Sequence, residues 1–269
     1  MERELYMSLS RKQRLFAAFS FGTYTEKRKM MFGDTVSPGN IRTGAEPFLL
    51  IGDEDYPEKL YDLSNPPLLL YYRGEKKLLK EAAVAVVGSR APSAYGLKIT
   101  KNIVRELSLY NITIISGGAR GVDTAAHRTA LQDGNTTICV LGCGLGVDYP
   151  KENAELFKSI STSGLLLSEY PRGFKPEKWT FPMRNRIIAA LSEDIVVTEA
   201  SMKSGSLHTA TYGVEINREV HAVPHQAESP WGQGCNHLIE LGAGILYNSR
   251  DFSEDFRKRH KGTERFEEI

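Results

Sequence analysis

The sequence is poor in the residues that build common catalytic and scaffold devices. It has three cysteines in 269 residues, Cys139, Cys143 and Cys235. An odd count, spaced C-x3-C with a distant third, excludes a disulfide framework, a zinc knuckle and a redox CxxC pair, and marks buried, reduced thiols. Long apolar runs are missing too: the longest uncharged apolar stretch, 138–147, is half of the ~20 residues a membrane span needs. The start, Met1-Glu2-Arg3-Glu4, has no hydrophobic leader, so no membrane association and a cytoplasmic location are expected. Excess charge is absent: 34 Lys+Arg against 33 Asp+Glu leave +1. That excludes capture of a polyanion by bulk electrostatics and requires any anionic partner to be held by a local cluster. No HExxH, GK[ST] or G-x-S-x-G sequence occurs, so zinc-protease, P-loop and serine-hydrolase chemistry have no support.

What is there is the composition of an ordinary globular chain, 41% hydrophobic and 25% charged, without repeats or low-complexity segments. Residues 1–45 carry eight basic residues (Arg3, Arg11, Lys12, Arg14, Lys27, Arg28, Lys29, Arg42) against four acids, and end near a turn-rich Ser37-Pro38-Gly39-Asn40. They form an N-terminal basic extension or short helical lead-in. From residue 82 onward, short β-branched runs alternate with segments of helical length, the pattern of an α/β fold with a mainly parallel sheet. Strands are expected at 83–87, 113–116, 136–141, 165–168, 195–198, 220–223 and 245–247, continuous apolar runs typical of strands covered on both faces. Helices are expected at 95–110, where Ile99, Ile103, Val104 and Leu107 make one apolar stripe, and at 120–133, 153–162, 183–192 and 206–217. The organisation is thus a basic extension (1–45), a binding domain (46–250) and a C-terminal tail with a final helix (251–269).

In an open parallel sheet, ligands bind beyond the carboxyl ends of the strands, where helix N-termini point their N–H groups outward. Four strand exits carry suitable residues. Val87-Gly88-Ser89-Arg90 offers a tight turn, a hydroxyl and a phosphate-seeking guanidinium. Ser116-Gly117-Gly118-Ala119-Arg120-Gly121-Val122-Asp123 has paired glycines that admit a close backbone approach. Leu141-Gly142-Cys143-Gly144-Leu145-Gly146 is a third glycine-rich exit, and Lys203-Ser204-Gly205-Ser206 supplies hydroxyls at a helix start. For any one loop, plain backbone geometry explains the glycines equally well. None matches a dinucleotide fingerprint, since Val147 stands where the third glycine belongs.

Residues 170–186 hold five basic residues (Arg172, Lys175, Lys178, Arg184, Arg186) against Glu177, interleaved with Tyr170, Phe174, Trp179 and Phe181. Rings for base stacking among cations suit sequence-tolerant binding of single strands. Pro171, Pro176 and Pro182 predict an ordered irregular loop there. Glu169 and Glu199 close two strands and serve either acid–base chemistry or pairing and capping, for instance with Arg184 or Arg186. The histidines 127, 208, 221, 225, 237 and 260 form no ligand spacing and are structural.

In order, these residues resemble the DNA-processing protein DprA/Smf family. The shared stretches include Asp55-Tyr56-Pro57, Pro66-Pro67-Leu68-Leu69-Leu70-Tyr71-Tyr72-Arg73-Gly74, Val87-Gly88-Ser89-Arg90-x-Pro92, Ser116-Gly117-Gly118-Ala119-Arg120-Gly121-Val122-Asp123, Phe181-Pro182-x-Arg184-Asn185-Arg186 and Ser204-Gly205-Ser206. The resemblance implies an extended Rossmann-like fold that binds single-stranded DNA, protects it, and helps load the RecA recombinase during natural transformation, with no cofactor and no catalysed reaction. By position it makes Arg90, Arg120, Lys178 and Phe181 DNA contacts. Arg184, Asn185, Arg186 and Ser204–Ser206 would shape an anion pocket beside Ser89, Gly117 and Gly118. A homodimer contact falls on Leu238, Ile239, Leu241 and Ile245, which fit a plain core equally well. Many members carry a C-terminal winged helix; fewer than twenty residues follow the core here, so none is expected.

Two other functions stay open on the same fold. A nucleotide-binding sensor would use the same pocket for a small ligand. A nucleoside-monophosphate phosphoribohydrolase-like enzyme would need a carboxylate where Thr211 stands.

Overall fold

The computed structural model describes residues 2–20, 24–32 and 46–260. Three short helices, α1 (Glu2–Met7), α2 (Arg11–Phe19) and α3 (Tyr24–Phe32), precede strands β1 (Phe48–Leu50) and β2 (Leu69–Gly74). The chain then alternates: β3 (Ala83–Val87), α4 (Ala94–Leu109), β4 (Thr113–Gly117), α5 (Val122–Gln132), β5 (Thr137–Leu141), α6 (Ala154–Ser163) and β6 (Leu165–Ser168). It continues through α7 (Thr180–Leu191), β7 (Asp194–Val197), α8 (Ser206–Glu215), β8 (Glu219–Ala222), α9 (Gln233–Glu240), β9 (Gly244–Ile245) and α10 (Ser249–His260). All nine strands join one sheet in the order β1-β2-β6-β5-β4-β3-β7-β8-β9. The run from β6 to β9 is parallel, and β1 and β2 add an antiparallel edge.

The seven expected strands are present, shifted by no more than two residues at an end. β1 and β2 were not expected. Their apolar runs pair across a long connection and antiparallel to β6, a non-local arrangement that no local periodicity announces.

Strand alternation sorts the core into two faces. Val84, Val86, Ile114 and Val196 point toward α4, α5 and α10, where Ile103, Val104, Leu107 and Phe256 are fully buried. Ala83, Ala85, Val87, Ile115 and Val140 point the other way, toward α7 and α8. Burying each such branched side chain stabilises the fold by roughly 1.5–3 kcal/mol. Helix α4 starts at Ser93, whose hydroxyl accepts the Gly96 N–H at 3.0 Å. It buries the stripe that the sequence marks.

Helix α7 differs from the expected 183–192. It begins at Thr180, with Pro182 in its first turn, where a missing N–H leaves no bond unmade. Because it crosses from β6 back over the sheet to β7, it is covered on both sides, and every residue from Arg184 to Leu191 is buried.

The N-terminal helices pack onto this second face: Tyr6, Ala17 and Met31 are fully buried within its cluster. Several of the basic residues counted there are engaged internally. Arg3 pairs with Glu58, and Arg11 and Arg14 with Asp53, while Arg14 also donates to the Ile51 carbonyl. Arg42 and the turn at 37–40 lie outside the described residues. At the other end α10, within which the boundary placed at 250 falls, buries Phe252 and Phe256 and clamps Arg259 onto Asp194 at 2.6 Å. Residues 261–269 lie outside the description.

Candidate nucleic-acid interface

The site follows from the order of the strands. After β3 the chain turns toward β4; after β7, its neighbour, it turns the opposite way toward β8. The diverging exits leave a crevice at the carboxyl edge of the sheet, the position where open α/β sheets hold ligands. Here it is a cleft of about 600 Å³, walled by the β3 exit, the start of α7 and the loop that enters α8.

Arg90 is exposed on the β3 exit, and its guanidinium lies over the Phe181 ring, 5.2 Å from the centroid. Tyr149, from the β5 exit, meets the same ring at 5.6 Å. Gly142 must lack a side chain for this, since a Cβ would stand 2.8 Å from Phe181 Cδ1. Lys178 and Lys203 are exposed on the cleft walls. Arg120 lines a smaller adjoining pocket of about 70 Å³ together with Arg90, Gly118 and Phe181, and is paired with Glu152.

The floor is more tightly determined. Arg184 is 5% exposed, donates from Nη1 to the Val140 carbonyl and from Nε to Asn185 Oδ1 at 3.1 Å. Burial lowers its pKa, with the facing Asp123 charge opposing that shift. Burial in turn raises the Asp123 carboxyl, against the pull of Arg184 and a bond from the Ala119 N–H at 3.2 Å. At the α8 end the Ser204 and Ser206 hydroxyls lie 2.8 Å apart, and Asn185 Nδ2 donates to the Gly205 carbonyl at 3.1 Å, fixing the entry of the helix. Ser89 lines the wall opposite, its hydroxyl accepting the Ala91 N–H.

Two expected positions stand elsewhere. Arg186 does not line the cleft; it is 2% exposed and donates from Nη2 to both Glu169 oxygens, at 2.7 and 2.9 Å. The helical period explains this: Phe181, Arg184, Asn185 and Ile188 share the cleft face of α7, and residue 186 turns away from it. Gly117 also does not line the cleft. It sits behind Arg184, where a Cβ would overlap the guanidinium, so its role is to make room. Glu199 likewise serves capping, accepting from the Ser93 N–H and hydroxyl.

Tyr149 and Lys203 are cleft residues to which the reasoning from sequence gave no role, Lys203 being named only with its loop; their places at a strand exit and a helix entry were the available signal. Thr211 is exposed on α8 and donates to the Leu207 carbonyl rather than facing the cleft. Of the four residues expected at a dimer contact, Leu238 and Ile239 are half-buried against the core, whereas Leu241 and Ile245 are 70% and 56% exposed at the far end of the sheet. Among the described residues, no group of three or more His, Cys, Asp or Glu comes together to hold a metal ion, and no helix is long and apolar enough to cross a membrane.

The family model for DNA recombination-mediator protein A matches residues 47–257. The DNA processing protein DprA of Streptococcus pneumoniae is 44% identical over 210 residues, 78% of this chain and 74% of that protein. Its X-ray structure superposes with a TM-score of 0.78 at 35% identity, covering 95% of this chain and 96% of that one. A Helicobacter pylori DprA structure, described by its single-stranded DNA binding mode, gives 0.73 at 33% identity over 80% of this chain and 98% of that one. A match over this much of the sequence, on the same extended Rossmann-like architecture, means that the chain belongs to the DNA recombination-mediator protein A family, the DprA/Smf proteins.

Proposed function

We propose that this protein is a recombination mediator that holds single-stranded DNA across the carboxyl edge of its sheet. The observation that carries the reading is the gathering of Arg90, Lys178, Lys203 and Arg184 with Phe181 and Tyr149 in one cleft of a molecule whose net charge is +1. The cations and the start of α8 take phosphates, and the Phe181–Arg90 layer offers a flat face to an unstacked base. A duplex keeps its bases paired inside and cannot use that face. The H. pylori relative, described as binding single-stranded DNA, supports the same assignment. Family membership supports the finer parts: protection of incoming DNA, loading of RecA in the cytoplasm during natural transformation, and a homodimer that meets at Leu241 and Ile245. Binding rather than catalysis is the reading, because Asp123, the carboxylate of the cleft floor, accepts from the Ala119 N–H and no second acid lines the cleft among the described residues.

A free nucleotide is the second reading, favoured by the position of the crevice at the strand-order switch. Titrating the protein with short oligonucleotides, single against double stranded, at two salt concentrations and with a nucleoside monophosphate as competitor, separates them. Salt-sensitive binding of single strands with little base preference is expected. Equal affinity for duplex, or displacement by stoichiometric mononucleotide, would overturn the proposal.

A further inference from the structure

We infer that the single strand continues beyond the cleft onto a second stacking station, Trp179 flanked by Lys175 and Arg172; this rests on reading the cleft as a single-strand site. The aromatic residues of 170–181 divide into two groups. Phe181 faces the cleft. Tyr170 and Phe174 stack on each other, 4.9 Å apart and 18° from parallel, and Tyr170 is buried. Trp179 stands nearly perpendicular to both, at 5.8 and 6.4 Å, with 56% of its surface open.

A tryptophan left this open on a well-packed loop offers ring surface at a fixed position, the combination that stacks a base at low ordering cost. The loop is rigid because it is bonded to the β5 exit: Gly144 N–H to the Phe174 carbonyl at 2.9 Å, and Gly173 N–H to the Leu145 carbonyl at 3.3 Å. A side chain on Gly144 would run into the Pro171 carbonyl, so the two loops lie backbone against backbone.

Charge identifies the occupant. Lys175 is exposed and, among the described residues, carries no side-chain bond or ion pair. Arg172, beside Gly146, is largely exposed and shares Glu46 with Arg73, two cations on one acid. Lys178, the residue before Trp179, already lines the cleft, and Tyr149 of the same β5 exit touches Phe181. Rings and unneutralised cations therefore continue along the β5 side of the same edge, which suits a polyanion with stackable faces better than an acidic protein segment.

The chain has two tryptophans, so Trp231→Phe leaves Trp179 as sole reporter. This variant is titrated with oligothymidylates of about four and about twelve nucleotides, lengths within the range of known single-strand sites. Both are expected to bind, and the longer alone to quench Trp179 emission. Trp179→Ala is expected to weaken the longer oligonucleotide by roughly five- to a hundredfold, the scale of one lost base stack, and to leave the shorter unchanged; Trp179→Phe restores most of the loss. Tight binding of the longer strand without quenching, or equal losses for both lengths, overturns the second station and leaves the cleft standing. Failure of either strand to bind overturns both.

Discussion

Lys178 is the cleanest place to test whether phosphates occupy the cleft. It is exposed, no hydrogen bond or ion pair among the described residues engages its ammonium group, and it lines the same cleft as the α8 entry, so Lys178→Gln removes one charge and disturbs no packing. Four cations reach the cleft: Arg90, Lys178, Arg184 and Lys203. If each neutralises one phosphate of a single strand, log K should fall against log salt with a slope of about −2.8, at roughly −0.7 per contact. Between about 50 and 200 mM salt the wild-type affinity then drops roughly 50-fold, and that of Lys178→Gln, with a slope near −2.1, only about 20-fold. Phe181→Ala provides the contrast: it removes a stacking face, so it should lower affinity by the same factor at every salt concentration. Fluorescence anisotropy with labelled oligonucleotides of mixed sequence measures both. An unchanged slope in Lys178→Gln, or a loss confined to particular bases, would refute the assignment of phosphates to this cleft.

Three further outcomes follow from the same geometry. A Cβ at Gly205 meets no atom within 4 Å and its φ is −64°, so Gly205→Glu should change stability by less than about 0.5 kcal/mol while lowering DNA affinity by roughly tenfold or more, read by urea melts and anisotropy; normal binding would show that the cleft is not occupied there. His127 is buried between the Gly117 carbonyl and Thr137, and burial lowers its pKa to about 4, so below about 6.5 the unfolded chain takes up a proton that the native state refuses. Stability is full above that pH and falls by roughly 2 kcal/mol on reaching pH 5, a loss that His127→Gln should flatten in melts across the range; parallel profiles refute it. Burial pushes the Cys143 thiol up to about 11 and that of Cys235 up to about 12, and raises Cys139 further, so the native protein should resist thiol reagents at pH 8 and label three sites in denaturant; rapid native labelling contradicts this.

The parallel part of the sheet was legible because its strands are covered on both faces and must be continuous β-branched runs: 83–87 and 165–168 coincide with β3 and β6 to the residue. The antiparallel edge was not legible. Phe48–Leu50 and Leu69–Gly74 gain their strand character from each other and from β6, and that pairing is invisible in either segment alone. The glycine clusters at the exits of β3, β4 and β5 were legible as places where chains come close, as Gly142 against Phe181 and Gly117 against Arg184 make concrete.

Where the reading of the site went astray, one misassigned element explains it. Residues 170–186 were read as an ordered irregular loop on account of three prolines, overlapping a helix expected only from 183, and Arg184 and Arg186 were assigned alike to the anion pocket. Once Pro182 is accepted in the first turn of α7, the 100° step per residue separates them. Arg184 falls on the face shared with Phe181 and Asn185 and reaches the cleft floor, whereas Arg186 rotates into the protein and needs Glu169 to offset its burial. The same step accounts for a nearly neutral protein presenting a cationic cleft. Some of its basic residues are consumed by internal pairs, as Arg3, Arg11, Arg14, Arg186 and Arg259 are. Among the described residues Lys178 and Lys203 carry no such pair, and Arg90 lies over the Phe181 ring without an ion pair of its own. Local charge at the carboxyl edge is therefore set by which cations lack acids, and the total over the chain does not predict it.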